Sequence, residues 1–348
     1  MDPAITTLCV LAVAAFLFVT ELIPLAVTAM AACTALGILG VLPSKQVYAG
    51  LSNSTVVLFG GMFVIGAAMF KTGLAEAVGL WVVNKAGTGE VKLMGAVMLV
   101  TIILSSVSSN TGTVACLMPV IIGIAQAANI PASKELMPLA VAANVGGTIT
   151  MIGTPPNVIV TGALSAAGLP SFGFFEFALI GVPLSIIVLV YMLTIGRKTI
   201  PIKNAGAMDA DAVEAAKKEA GAGKLIADTV VGMMGEHPNP IVLCAVLYLI
   251  SNVLTQFMSN TASAALLAPI GISIAQSIGA DPKPVLMAIG IAASMAYATP
   301  MATPPNTLVL GPGGFSFNDY VKVGVPLCII TFIVSVIIIP IFWPFFPG

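Results

Sequence analysis

Charge is scarce in this sequence: 13 basic and 14 acidic side chains occur among 348 residues, 8% in all. A soluble domain carries about 25%, so a water-solvated globule is excluded. With a net charge of −1, there is no basic patch to hold a nucleic acid. Histidine occurs once, as His237 in the segment Glu236-His237-Pro238-Asn239-Pro240, with no partner for a proton relay. The cysteines Cys9, Cys33, Cys116, Cys244 and Cys328 stand singly in apolar stretches. They offer no metal-ligand spacing and read as small buried apolar side chains. Nucleotide-binding glycine loops, paired carboxylates and activated nucleophiles are missing too, so the chain is not expected to be an enzyme.

Apolar residues are abundant instead, at 58% of the chain, with a mean hydropathy of +1.09. Runs at 5–20, 23–42, 55–70, 93–107, 179–195, 241–258 and 321–343 approach or reach bilayer-spanning length. Met1-Asp2-Pro3 places no basic segment before the first run, which is expected to stay as a span rather than be cleaved.

Polar, helix-breaking residues recur in pairs within this apolar background. Ser109-Asn110-Thr111 returns as Ser259-Asn260-Thr261 at an offset of 150, and Thr154-Pro155-Pro156-Asn157 returns as Thr303-Pro304-Pro305-Asn306 at an offset of 149. Ile124-Ala125-Gln126 matches Ile274-Ala275-Gln276, and Gly181-Val182-Pro183 matches Gly324-Val325-Pro326. Each unit reads as a span, a polar turn, a returning helix, a broken helix and a final span, the mark of a duplication. Three crossings counted from the span before Ser109 to the span before Ser259 turn the units opposite ways. The expected fold is an all-α integral membrane protein of inverted repeats, with two re-entrant hairpins and two broken helices.

The domains expected are N-terminal scaffold spans (1–90), a first transport repeat (91–196), a charged cytoplasmic linker (197–239) and a second transport repeat (240–348). The linker region from Gly196 to Asn239 holds 12 of the 27 charged residues, and its 209–220 stretch should form a surface helix. With the N-terminus cytoplasmic, Lys45, Lys134, Arg197, Lys198, Lys203, Lys217, Lys218, Lys224 and Lys322 fall inside. Lys71, Lys85, Lys92 and Lys283 then fall outside. The span 55–70 finds no partner in the second half, which is shortened.

Hydroxyl, carboxamide and freed backbone carbonyl oxygens suit a small cation. A helix interrupted at Pro-Pro frees carbonyls on one side and presents its positive end on the other, so two such ends would hold an anion without arginine. Glu21 and Glu176 are the carboxylates nearest the spans and read as interfacial anchors. No carboxylate or histidine is placed where proton coupling would need it.

At these residues the chain resembles the divalent anion/sodium symporter family of di- and tricarboxylate carriers. That family carries Ser-Asn-Thr at two hairpin tips and a (Ser/Thr)-Pro-Pro in two broken helices. The resemblance covers about residues 20–196 and 222–345. It implies substrate contacts from Ser109, Asn110, Thr111, Thr154, Pro155, Ser259, Asn260, Thr261, Thr303 and Pro304. It further implies one sodium ion at Ser105, Ser109, Asn110 and the Gly153 carbonyl, and a second at Thr255, Ser259, Asn260 and the Ala302 carbonyl. Similar carriers are homodimers that move a transport domain like an elevator. The function expected is sodium-coupled symport of a small dianion across the cell (inner) membrane, a dicarboxylate such as succinate, malate or fumarate. The alternatives are a sulfate carrier and a transport-incompetent anion receptor.

Overall fold

A computed structural model describes residues 89–203 and 239–346 continuously, 25–48 nearly so, and scattered positions among 6–77. The runs 5–20 and 55–70 fall largely outside the described residues; Glu21, His237 and the 209–220 helix lie wholly outside them. The chain divides into two units, 1–62 and 63–348. In the first, helix α1 (Leu25–Ile38) ends at a turn in which Gly40 takes φ 73°, a conformation open to glycine at little cost. Thr34 of α1 shares a 2.7 Å hydrogen bond with the Tyr48 hydroxyl.

Among the described residues the second unit holds two sets of five helices. The first set is α2 (Glu90–Val107), α3 (Asn110–Ala127), α4 (Ser133–Gly146), α5 (Pro155–Ala166) and α6 (Ala178–Tyr191). A π-turn and a last helical turn extend α6 to Thr199. The second set is α7 (Pro240–Thr255), α8 (Asn260–Ser277), α9 (Pro282–Ser294), α10 (Pro304–Leu310) and α11 (Phe317–Phe342). Among the described residues α2, α3, the extended α6 and α11 are long and apolar enough to cross a membrane, and no strand occurs. On α11 the exposed side chains Val325, Ile329, Ile333, Ile337 and Ile341 form a stripe, four residues apart, as a lipid-facing helix requires.

Both helix breaks fall where the prolines demand. Pro155-Pro156 and Pro304-Pro305 occupy the first positions of α5 and α10, where a missing N–H does no harm, and the chain before them leaves the helix. Each short helix packs on the other repeat, α5 against α8 and α9, α10 against α3 and α4. The matched glycines of α6 and α11 have a packing reason. A Cβ on Gly181 would lie 2.6 Å from the Thr148 carbonyl, and one on Gly324 would strike the Tyr297 carbonyl. Each final helix therefore presses directly on the broken segment of its own repeat.

Ion pairs and caps mark the ends of the bundle. At one end the Lys134 ammonium donates to the carbonyls of Arg197 and Ile200 at 2.5 and 2.9 Å, and Lys203 pairs with Asp319 at 2.7 Å. At the other, Glu176 accepts from Lys283 at 3.0 Å and from the Trp343 indole at 2.6 Å. Burial works to raise the Glu176 pKa, but the Gly173 amide, Trp343 and Lys283 hold it below the ordinary value. The 22-residue extended α6 separates these ends by about 33 Å. Glu176 is more than the single anchor expected from sequence, since it ties the first repeat to the start of α9 and the end of α11.

Two directions differ from the sequence reading. Helices α2 and α4 run parallel, with Glu90 acting on Glu135 near their starts and Ser105 meeting Ala143 near their ends. Lys92 thus shares an end with Lys134. Helices α7 and α9 are parallel as well, since Cys244 meets Pro284 and Thr255 meets Ala293. Asn239 therefore lies at the Lys283 end, whereas Lys203 lies at the Asp319 end. The flanks of the charged segment stand at opposite ends of the bundle, not on one face.

Placing a methyl at Gly324 forces backbone apart in a packed crossing, which typically costs about 1–3 kcal/mol. Gly324→Ala is expected to lower the thermal unfolding temperature in detergent clearly, and Gly123→Ala, where nothing lies within 4 Å, to leave it unchanged.

Candidate functional site

The two Ser-Asn-Thr turns cap helices and face the breaks at once. Ser109 and Ser259 are N-caps, accepting from the amides of Gly112 at 3.0 Å and Ala262 at 3.2 Å, the usual role of serine there. One residue on, each asparagine turns inward. The Asn110 side chain lies 2.6 Å from Ser105 Oγ. With its amide nitrogen turned inward it donates to the carbonyls of Gly153 at 3.0 Å and Ala143 at 3.1 Å. Ser105 itself donates to the Ala143 carbonyl at 2.7 Å.

The second repeat rebuilds this nest at the same offset. Thr255 Oγ1 lies 2.7 Å from Asn260 Oδ1 and donates to the Ala293 carbonyl at 2.7 Å. Ser105 and Thr255 stand one helical turn before each tip, so their hydroxyls reach the same point as the asparagines. Each nest is a cluster of neutral, hard oxygens; the Asn110 amide nitrogen fills the first, whereas in the second Asn260 turns its Oδ1 toward Thr255. That donor set fits an alkali cation better than a soft metal. No group of three or more His, Cys, Asp or Glu side chains with metal spacing occurs among the described residues.

The nests are not identical. Gly147 and Gly153 let the first broken segment fold tightly on itself: a Cβ on Gly153 would lie 2.5 Å from the Gly147 carbonyl, and one on Gly147 would strike the Asn110 amide. Their counterparts are Ala296 and Ala302. Asn110 is 9% exposed, whereas Asn260 is half-buried. Of the expected ligands, Ser105, Asn110 and Gly153 come together, as do Thr255 and Asn260. Ala302 is buried, but no hydrogen bond among the described residues joins it to Asn260. Ser109 and Thr111 are exposed, and Thr261 is half-buried.

The break residues have other partners. Thr154 Oγ1 accepts from Ser294 at 3.4 Å, and Thr303 Oγ1 donates to Asn144 at 3.3 Å, so each threonine is tied to the opposite repeat. Pro155 and Pro304 are exposed at the helix starts. The sequence reading expected the positive helix ends there to hold an anion. The prolines carry no N–H, and the Asn157 and Thr307 amides already donate to the Thr154 and Thr303 carbonyls, each at 3.2 Å. What remains for an anion is the dipole of α5, not a ring of free amides.

The asparagines that follow the prolines clasp the breaks, a role sequence reasoning missed. Asn157 Nδ2 donates to the Thr150 carbonyl at 2.9 Å and the Gly147 carbonyl at 3.5 Å. Asn306 Nδ2 donates to the carbonyls of Thr299 at 2.8 Å and Ala296 at 2.9 Å. Asn144, also missed, crosses between repeats and donates to Asn306 Oδ1 at 3.1 Å. Its counterpart, Ser294, is too short to do the same, and Asn157 Oδ1 is left buried without a partner. The matched offsets of these residues were the available signal.

Removing a clasp leaves carbonyls unpaired in a buried place, at about 1–3 kcal/mol each. Asn306→Ala is therefore expected to destabilise the protein by more than Asn157→Ala, which already lacks one bond. Thermal unfolding of the two variants in the same detergent checks the order.

Comparison with known proteins divides the chain at its charged segment. A family model described as citrate transporter matches residues 15–218, and one described as sodium:sulfate symporter transmembrane region matches 212–347. The uncharacterized transporter YfbS of Escherichia coli (strain K12) is 34% identical over 189 residues, 54% of this chain but only 31% of that protein. The chain thus matches about a third of the length of YfbS. An uncharacterized transporter of Haemophilus influenzae is 27% identical across 97% of this chain and 91% of its own length. The sodium-dependent dicarboxylate transporter SdcS of Staphylococcus saprophyticus is 24% identical across 92% of this chain and 83% of its own length. With the first family model covering more than half of its residues, an all-helical described structure and paired oxygen nests at two helix breaks, the chain belongs to the divalent anion/sodium symporter family of membrane transporters.

Proposed function

We propose that the chain is a sodium-coupled secondary carrier of small dicarboxylates such as succinate, malate or fumarate, working by an elevator-type movement. The observation that carries this reading is the doubled nest, in which Ser105 and Asn110 on one side, and Thr255 and Asn260 on the other, gather around matched carbonyls of Ala143 and Ala293. One sodium ion would bind at each, helped by Ser109 with the Gly153 carbonyl and by Ser259 with the Ala302 carbonyl. A rotation of the Asn110 carboxamide brings its oxygen into the first cluster in place of its N–H, while the Asn260 oxygen already faces Thr255.

The substrate dianion would sit between the tips, against Asn110, Thr111, Asn260 and Thr261, with Thr154, Pro155, Thr303 and Pro304 shaping the breaks behind it. Binding sodium first supplies the positive charge that the site lacks, which makes anion binding depend on the cation. Opposite helix directions in the two sets support inverted repeats. Lys92, Lys134, Arg197, Lys198, Lys203 and Lys322 gather at the Asp319 end, which supports a cytoplasmic assignment for that end. The domain reading is scaffold 1–90, transport repeats 91–196 and 240–348, and a charged linker 197–239, in a homodimer of the inner membrane.

Two observations favour second readings. The family description over 212–347 names sulfate, so an inorganic dianion competes with the dicarboxylate. The opposite placement of Lys203 and Asn239 fits a chain that has lost an odd number of spans between them, which would leave an anion binder without flux.

Radiolabelled succinate uptake into proteoliposomes tests the reading. An inward sodium gradient is expected to drive accumulation, excess sulfate to leave it largely intact, and potassium in place of sodium to stop it. Asn110→Ala and Asn260→Ala should each abolish uptake with folding retained. Near-normal sodium-driven uptake by both variants would sink the site assignment, and sodium-independent uptake would sink the coupling.

A further inference from the structure

The sequence places no titratable group where proton coupling needs one, yet the structure contains such a group. Glu135, in the first turn of α4, is 0% exposed, and neither carboxylate oxygen has a hydrogen-bond partner. Its neighbours in sequence are engaged elsewhere. Lys134 donates to the carbonyls of Arg197 and Ile200. The amides of Lys134, Glu135 and Leu136 donate to the carbonyls of Pro131 and Ala132, which takes up three of the amides that a helix start usually leaves free.

The elements packed on α4 bring little compensating charge. From α2 come Glu90, whose carboxylate acts on Glu135, and Lys92, which is exposed. From the extended α6 come Lys198, exposed, and Tyr191 and Arg197, whose hydroxyl and Nε are buried without partners. Helix α3 carries Cys116 alone, and α10 carries no titratable group. An ionised carboxylate in such a place is costly, and the neutral acid is the stable form. Glu135 lies outside the four apolar spans, in the polar layer with Lys134, Arg197 and Lys203. Burial first, and Glu90 second, push its pKa up to about 8.

The feature is also asymmetric. At the repeat offset Glu135 corresponds to Val285 and Glu90 to Pro240, so this group is not part of the doubled machinery. It stands on the same helix as Asn144 and as Ala143, the latter eight residues away, or about 12 Å.

We propose that Glu135 is a proton-binding site that the protein fills from solution, distinct from both nests, through which pH biases the position of α4. The acid exchanges its proton when the polar end of α4 opens to water, and holds it when that end is packed. Only the transport arm of the test rests on the carrier reading above.

The purified chain in detergent is melted across about pH 5 to 9, beside Glu135→Gln. The folded protein holds the Glu135 proton to a higher pH than the unfolded chain does. Stability is therefore greatest near the ordinary glutamate value, falls as pH rises towards about 8, and is flat above it. The wild type is expected to lose melting temperature over that window. Glu135→Gln should lose clearly less, and its infrared difference spectrum should lack the acid carbonyl band that titrates in the wild type. Identical profiles and bands in the two proteins would overturn the site. Should Glu135→Gln fail to fold, Glu90→Gln serves: it should move the wild-type midpoint to lower pH, and an unmoved midpoint would overturn the site. In proteoliposomes, sodium-driven succinate uptake should fall by about tenfold between pH 7 and 9 in the wild type, and much less in Glu135→Gln. If neither protein takes up succinate while the melting profiles differ, the carrier reading falls and the proton site stands.

Discussion

A helix cannot be interrupted inside a lipid-solvated protein unless the backbone groups it frees find partners in the protein itself. That requirement organises the rest of this structure. Asn157 and Asn306 clasp the two breaks, Thr150 and Thr299 send their hydroxyls back to the carbonyls of Ser106 and Gln256, and the final helices close over each break through Gly181 and Gly324. The carbonyls of Ala143 and Ala293 are then left facing the hairpin tips. The candidate ion sites are thus a by-product of the way the breaks are satisfied. Only side chains that reach those carbonyls, Ser105 with Asn110 and Thr255 with Asn260, can turn them into a cation cluster.

The pseudo-symmetry is close in backbone and loose in chemistry. Glycines at 147 and 153 tighten the first break where alanines stand in the second. Asn144 reaches across to the second clasp, while Ser294 reaches only Thr154. The second break is braced from its own repeat as well, by Asn252 and Gln256, which both donate to the Met295 carbonyl. The ends of the bundle are matched more evenly. Glu176 and Asp319 stand 143 residues apart, the same offset as Gly181 and Gly324, and each pairs with a lysine of the other half, Lys283 at the start of α9 and Lys203 just after the extended α6. Two nests of unequal burial need not bind their ions with equal strength.

Much of this was legible because the duplication repeats side chains with a strong local meaning. Pro-Pro fixes a break, Ser-Asn-Thr fixes a cap, and two copies at one offset fix their relation. The unread part lies where backbone carries the chemistry. No residue type announces that the carbonyls of Ala143 and Ala293 face a hairpin tip. Asn157 and Asn306 could be read as ligands or clasps until their partners were known. Lys92 was placed at the opposite end from Lys134, whereas the parallel run of α2 and α4 puts the two together. Glu135 escaped notice because Ser133-Lys134-Glu135 looks like an exposed helix start, and only the packing of α4 on every side buries it.

The central claim is that the two nests are sodium sites of the same construction, one per repeat. Equilibrium binding of radiolabelled sodium to the purified chain, with Ser105→Ala, Thr255→Ala and the double variant beside it, tests that claim without requiring transport. The account expects two ions bound per wild-type chain, one in each single variant and none in the double. Sodium binding that is undiminished in the double variant, or absent from the wild type, would contradict it.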